Sequence, residues 1–161
     1  MKYLKTFFCW SLFCSLLANS YGQMSRGSIL NKGEEIQIIW TAGTATTEYM
    51  ESPNQRFSFY FSLQYHYWLI EDRQSGAKKK VEFLPKVNDP NPPSANRFLR
   101  LEPSGNLKYA FLIPGAPSSE PPVPIFNSNT NAGHTLELTN EGAIVVKNAS
   151  GAMVWGPIYG N

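Results

Sequence analysis

Cysteine is scarce in this chain, with only Cys9 and Cys14 among 161 residues. Both lie in an apolar stretch near the N-terminus, so the remainder contains no disulfide and has to be stabilised by a packed core. Histidine is equally scarce: His66 and His134 are the only two, and neither has neighbours that would complete a zinc site. We therefore expect no metal ion and no cofactor.

A long hydrophobic run is found only at the N-terminus. Residues 1–22 carry Lys2 and Lys5, then an apolar run, then small residues, which is the layout of a secretory signal peptide. We expect cleavage after Ser20 or Gly22, a secreted, extracellular mature protein, and no membrane partner after cleavage. A retained anchor is the alternative, although the apolar run is short for a bilayer.

An excess of charge of one sign is also lacking. Fourteen Lys and Arg residues stand against twelve Asp and Glu, and loss of Lys2 and Lys5 with the leader makes the mature chain formally neutral. Since nucleic acid requires a basic surface, no nucleic-acid partner is expected. We interpret the lysine cluster at 78–80 as a solvated loop, with a polyanion site as the alternative.

Patterns typical of enzymes are missing too. The pairs Glu34-Glu35 and Glu71-Asp72 are sequence neighbours, which a strand places on opposite faces, whereas a glycosidase needs two carboxylates facing one bond. Ser75 and Ser104 each precede a glycine in a turn, without the context of a nucleophile elbow. We therefore predict a protein that is not an enzyme.

Three stretches instead share one pattern, in which two alternating apolar residues lie on each side of a five-residue polar turn. The stretches are 59–61 and 67–69 around 62–66, 99–101 and 107–109 around 102–106, and 136–138 and 144–146 around 139–143. Such alternation predicts a half-buried β-hairpin. Because a single hairpin is marginally stable in water, we expect the three to share one core.

The rest of the chain agrees with an all-β domain. We predict a strand at 36–40, a Gly- and Thr-rich turn at 41–47, and loops in the proline-rich intervals 85–93 and 114–124, because proline cannot donate to a sheet. Alternation also predicts which side chains meet at the centre. These are Phe57, Phe59, Phe61, Leu69, Leu99, Leu101, Leu107, Leu136, Leu138, Ile144 and Val146.

The third repeat, residues 136–155, resembles the repeat of bulb-type (monocot mannose-binding type) lectins. The turn Ser104-Gly105-Asn106-Leu107 resembles the same unit, as do the segments 52–59 and 29–36. The resemblance covers most of 28–157, which we take as one lectin-like domain. It implies a β-prism II fold of three antiparallel sheets with pseudo-threefold symmetry, a homodimer, and a glycan or glycoprotein partner.

In that family the sugar pocket is formed by Gln-x-Asp-x-Asn-x-Val-x-Tyr, whose polar side chains line one face at alternate positions. No repeat of this chain keeps the set. The corresponding positions are Glu102, Ser104, Asn106, Lys108 and Ala110 in the second repeat; Ser62, Gln64, His66, Trp68 and Ile70 in the first; and Thr139, Glu141, Ala143, Val145 and Lys147 in the third.

Two groups of these residues are candidate carbohydrate-binding residues. The second repeat retains a polar row of Glu102, Ser104, Asn106 and Lys108, although Asn106 after a glycine could equally serve a tight turn. In the first repeat, we expect an outward aromatic and amide set beside Tyr60, with ordinary core packing as the alternative. That set is Gln64, His66 and Trp68.

The function predicted from these features is a secreted, non-catalytic, lectin-like protein that recognises a glycan or glycoprotein through outward strand faces. The alternative is a structural or protein-interaction module on the same fold in which sugar binding has been lost. Asn148-Ala149-Ser150 is an acceptor sequence for N-glycosylation, so the protein is expected to be a glycoprotein if its source is eukaryotic.

Overall fold

A computed structural model describes residues 22–41, 44–83, 95–117 and 119–160. The leader, apart from Gly22, and the proline-rich interval 85–93 lie outside these residues. The described residues form strands and turns with no helix, so the expectation of an all-β chain is confirmed. In this part of the chain no helix is long and apolar enough to cross a membrane.

The strands are numbered in chain order. They are β1 (Gly22–Ser25), β2 (Ile29–Asn31), β3 (Glu35–Thr41), β4 (Thr44–Glu51), β5 (Phe57–Ser62), β6 (Tyr67–Asp72), β7 (Ala77–Lys80), β8 (Arg97–Leu101), β9 (Leu107–Phe111), β10 (Val123–Asn127), β11 (Thr135–Leu138), β12 (Ala143–Lys147) and β13 (Met153–Tyr159).

All three predicted hairpins are present, as β5–β6, β8–β9 and β11–β12. In the second, Leu101 pairs with Leu107, and in the third, Leu138 pairs with Ile144. The turns of these two hairpins each contain a glycine with positive φ, Gly105 at 89° and Gly142 at 74°, a conformation that glycine adopts without steric cost. In the second and third hairpins, the alternating pattern therefore predicted both the strands and their register.

The described strands form two hydrogen-bonded sheets, where three were expected. One has nine strands in the order β10-β9-β8-β3-β4-β5-β6-β7, with β1 parallel to β4, and the other has the order β13-β12-β11-β2. The reason lies in β4, whose residues 44–47 pair with β3 and whose residues 49–51 pair with β5. This strand therefore joins β10-β9-β8-β3, which contains the second predicted hairpin, to β5-β6-β7, which contains the first.

The length of β4 also corrects the predicted turn at 41–47. Residues 44–47 begin β4, because the threonines there are β-branched and favour a strand. The lysine cluster at 78–80 is likewise not a loop but part of the exposed edge strand β7. At the end of the interval 114–124, Val123 and Pro124 begin β10, where an edge position and a bulge tolerate proline.

The first hairpin differs from the other two by one residue. Phe61 pairs with Trp68, seven positions later, whereas Leu101 pairs with Leu107, six positions later. A shift of one residue turns every side chain of a strand to the other face. Trp68 and Ile70 consequently face the core, and Leu69, predicted to face inward, is buried on the opposite face beside Tyr60.

One hydrophobic core joins both sheets. Phe59, Leu101 and Leu138, one from each predicted hairpin, belong to the same buried cluster. The other predicted inward residues also lie in it, except that Phe57 is partly buried against it and Leu69 is outside it. The expectation of a shared centre is therefore confirmed.

Candidate functional site

The polar row predicted in the second repeat is largely assembled, but its groups bind each other. The Asn106 amide Nδ2 donates to Glu102 Oε2 at 3.2 Å, and Lys108 Nζ lies 3.5 Å from Glu102 Oε1. Asn106 is only 7% exposed, whereas Ser104 is exposed at the tip of the turn. The row therefore presents fewer free groups than its sequence indicates.

The segment 128–130 forms hydrogen bonds to the same turn. Ser128 Oγ donates to Asn106 Oδ1 at 3.0 Å and accepts from the Leu107 amide at 2.9 Å. Thr130 Oγ1 donates to the Gly105 carbonyl at 2.7 Å. These contacts support the structural interpretation of Asn106, in which the amide fixes the turn.

The residues predicted in the first repeat are divided between solvent and core. Gln64 and His66 are exposed in the β5–β6 turn, where His66 has a positive φ of 57°. Trp68 is 2% exposed and stacks on Phe59, with ring centroids 4.9 Å apart. It therefore does not face outward with the other two, and the core alternative applies to it.

The third repeat uses its motif positions for turn geometry. Thr139 Oγ1 accepts from the Ala143 amide at 3.2 Å and from the Glu141 amide at 3.3 Å. Asn148, in the β12–β13 turn, accepts through Oδ1 from Ser150 Oγ at 2.7 Å and from the Ala152 amide at 2.9 Å. Both side chains stabilise their own turns.

A polar cleft of about 260 Å³, which was not predicted from the sequence, lies on the outward face of β4, β5, β6 and β7. We call it the tyrosine cleft. It is lined by Gln23, Tyr49, Ser58, Tyr60, Glu71, Arg73 and Lys78.

Strand register brings the lining of the tyrosine cleft together. Tyr49 pairs with Tyr60 across β4 and β5, Ser58 pairs with Glu71 across β5 and β6, and Glu71 pairs with Lys78 across β6 and β7. Alternation along β5 would have placed Tyr60 on the outward face, because Phe59 and Phe61 are inward. The register between β4, β5 and β7 has no comparable signal in the sequence.

Hydrogen bonds and charge pairs order the cleft. Tyr60 Oη donates to Glu71 Oε2 at 2.7 Å, and Lys78 Nζ lies 3.8 Å from Glu71 Oε1. Arg73 pairs with Glu51 and lies 5.5 Å from the centre of the Tyr49 ring. Lys78 and Arg73 are thus paired with Glu71 and Glu51, so the positive and negative charges are equal in number. The cleft combines aromatic surfaces with hydrogen-bonding groups.

The pKa of Tyr60 is raised well above its ordinary value of 10.0. Burial is the largest cause, followed by the hydrogen bond to Glu71 and by the charges of Glu71 and Tyr65. The phenol therefore stays protonated over the ordinary pH range and can donate to the carboxylate while its oxygen accepts from a ligand.

A second cleft, of about 350 Å³, lies where the β6–β7 hairpin meets the end of β13. Arg56 crosses it with two hydrogen bonds to Asp72, of 3.2 Å from Nε and 2.9 Å from Nη2. The hydrogen bond from Arg56 is the largest cause holding the pKa of Asp72 well below its usual range. Because these charges satisfy each other, we interpret this pair as a connection within the fold.

The Japanese Marasmius oreades lectin, a solved structure, superposes on this chain with a TM-score of 0.51. The two proteins share a fold. The match covers 84% of this chain and 93% of that chain, at 20% sequence identity, a level at which the likeness concerns the fold alone. No protein-family model and no curated protein matches the chain.

Proposed function

We propose that this chain is a secreted, non-catalytic, lectin-like protein of β-prism II architecture that binds a glycan or glycoprotein. The architecture is supported by the likeness to a lectin fold and by the three hairpins, two of them in the nine-stranded sheet and one in the four-stranded sheet. The observation that carries the function is the tyrosine cleft, which we propose as the binding site in place of the second-repeat row.

The chemistry of the tyrosine cleft suits a saccharide. The Tyr49 and Tyr60 rings offer apolar faces for the C–H groups of a sugar ring, and Glu71 offers acceptor lone pairs for vicinal hydroxyls. Lys78 and Arg73 supply donors at the rim. Because these contacts replace contacts with water, affinity per site is expected to be weak, and useful binding would depend on several copies acting together.

A glycan array followed by titration of the selected glycan tests the proposal. We expect Glu71→Gln to weaken binding about tenfold, because a charged acceptor becomes a neutral one. Glu137→Gln is the matched control, since Glu137 is a partly buried carboxylate paired with Lys147 on the other sheet. Absence of any glycan binding by the mature protein would contradict the proposal.

The second candidate is a protein-interaction module on the same fold. It is favoured by the second-repeat turn, where Ser128 donates to the Asn106 amide oxygen that the lectin motif would offer to a sugar. Recovery of a specific partner protein in a pull-down with the mature chain, together with a blank glycan array, would select this candidate.

Glycan attachment at Asn148 is a separate proposal for a eukaryotic source. The acceptor asparagine lies in the β12–β13 turn, and its neighbours Ala149 and Ser150 are exposed. A fall in intact mass after treatment with a glycosidase would support attachment, and an unchanged mass would contradict it.

A further inference from the structure

The outward face of the β5–β6 hairpin continues from the tyrosine cleft to the turn as an aromatic strip. Tyr67 lies on this face, because its neighbour Trp68 faces the core. Tyr65 in the turn stacks on Tyr67, with ring centroids 5.6 Å apart and ring planes at 17°. We call Tyr60, Tyr65 and Tyr67 together the tyrosine strip.

The strip is accessible at its far end. Tyr65 is 48% exposed although it is stacked on one face, so ring surface is left open to solvent. Lys80 Nζ lies 5.2 Å from the centre of the Tyr67 ring and supplies a hydrogen-bond donor beside the stack. An exposed aromatic surface with an adjacent donor is the same combination that the tyrosine cleft offers.

The cleft and the stacked pair are separated by more than one sugar ring. Glu71 and Tyr67 are four residues apart on β6, a distance of about 13 Å at the rise of a strand. Leu69 lies between them and is only 2% exposed, and Ser62, the cross-strand partner of Tyr67, is only 7% exposed, although both lie on the outward face. Neighbouring side chains therefore cover the outward face of the hairpin, so the surface is continuous from the tyrosine cleft to the stacked pair of Tyr65 and Tyr67.

We infer that this surface takes a linear oligosaccharide, with one sugar ring in the tyrosine cleft at Tyr60 and Glu71 and a later ring stacked on Tyr65. The inference rests on the proposed function and specifies its ligand. The apolar face of a pyranose ring packs on an aromatic ring, and linking two such contacts in one ligand raises affinity by effective concentration.

The test compares single sugars with linear tetrasaccharides by titration calorimetry. The probes are mannose with mannotetraose, glucose with cellotetraose, and N-acetylglucosamine with chitotetraose. In at least one series, we expect the tetrasaccharide to bind more than about tenfold tighter than its single sugar. That gain exceeds the roughly fourfold statistical advantage of presenting four rings.

Variants at Tyr65 identify the source of the gain. Tyr65→Ala is expected to weaken tetrasaccharide binding about fivefold, and single-sugar binding by a smaller factor, because the stacking contact is lost. Tyr65→Phe keeps the ring and should retain most of the tetrasaccharide affinity. Tyr159→Ala is the matched control, since Tyr159 is 54% exposed on β13.

The outcomes separate this inference from the proposed function. Equal affinity for single sugars and tetrasaccharides, or a tetrasaccharide affinity that Tyr65→Ala leaves unchanged, would overturn the oligosaccharide inference. If Glu71→Gln still weakened binding in that case, the proposed function would stand. Failure of every saccharide to bind would overturn both.

Discussion

The amide of Asn106 is held from both ends. Its Nδ2 donates to Glu102 and its Oδ1 accepts from Ser128, which also accepts from the Leu107 amide. A buried polar group that loses such a partner costs more than the bond itself is worth. The one residue of the second repeat that matches the lectin motif therefore uses its side chain to hold the turn and leaves little of it available to a sugar.

We predict that Asn106→Ala lowers the free energy of unfolding by about 1–3 kcal/mol, because Ser128 and Glu102 lose a buried partner. Binding at the tyrosine cleft should be unchanged. Urea denaturation followed by tryptophan fluorescence measures the effect. Ser104→Ala, in the same turn but exposed, should stay within about 0.5 kcal/mol of wild type, and an equal loss in both variants would contradict the prediction.

Asp72 should make stability depend on pH. Its folded pKa lies below the ordinary 3.8, chiefly because Arg56 donates to it. A lowered pKa contributes stability above pH 3.8 that is lost as the pH falls toward the folded value. Asp72→Asn should therefore be less stable than wild type near pH 6, and the difference should narrow as the pH falls below 3.8.

Thermal unfolding at several pH values measures the dependence on Asp72. Arg56→Met removes the main cause of the lowered pKa and should show the same narrowing. A difference between wild type and Asp72→Asn that stays constant across this pH range would show that the contact with Arg56 is not linked to folding.

Among the elements, the turn of the β11–β12 hairpin is packed against another hairpin, whereas the β12–β13 turn is open. A Cβ on Gly142 would lie 2.8 Å from atoms of the Phe57 ring, whereas a Cβ on Gly151 would meet nothing within 4 Å. Both glycines have positive φ, of 74° and 82°. Comparison of the two positions therefore separates steric contact from backbone strain.

Gly142→Ala and Gly151→Ala should both be destabilised by backbone strain, by about 1 kcal/mol. Gly142→Ala should lose a further 1–3 kcal/mol or so, because the Phe57 ring has to move. Chemical denaturation of the two variants measures this difference. Equal losses of free energy of unfolding in the two variants would mean that the contact between the turn at Gly142 and Phe57 on β5 does not affect stability.

The strands were predictable because local alternation of apolar residues determines them. Which face of the sheet a side chain occupies was not predictable where loop length determines it. The apolar pairs Leu101–Leu107 and Leu138–Ile144 followed from the pattern, because both hairpins have the same turn length. The loop of the first hairpin is one residue shorter, with Ser62 paired to Tyr67, and this register turns Trp68 into the core. The tyrosine cleft depends on the register of Tyr49 and Lys78 against β5 and β6, and that register is set by tertiary packing rather than by a local signal.

At the scale of the whole molecule, aromatic rings connect the two sheets through Phe83. Its ring centroid lies 6.4 Å from that of Trp68 on β6, 5.1 Å from Phe126 on β10, and 6.3 Å from Trp155 on β13. Trp68 and Phe126 lie on the nine-stranded sheet, and Trp155 lies on the four-stranded sheet. Phe83 therefore links both sheets, and we expect them to unfold as one cooperative unit.

We predict that Phe83→Ala lowers the free energy of unfolding by about 3 kcal/mol, since a partly buried ring is removed from the centre of three contacts. Phe83→Leu fills more of the space and should lose less. Tryptophan fluorescence reports on Trp40, Trp68 and Trp155, and circular dichroism reports on both sheets, so the two transitions should shift together in each variant. Separation of the two transitions would show that the sheets are held by independent contacts and that the ring at position 83 does not couple them.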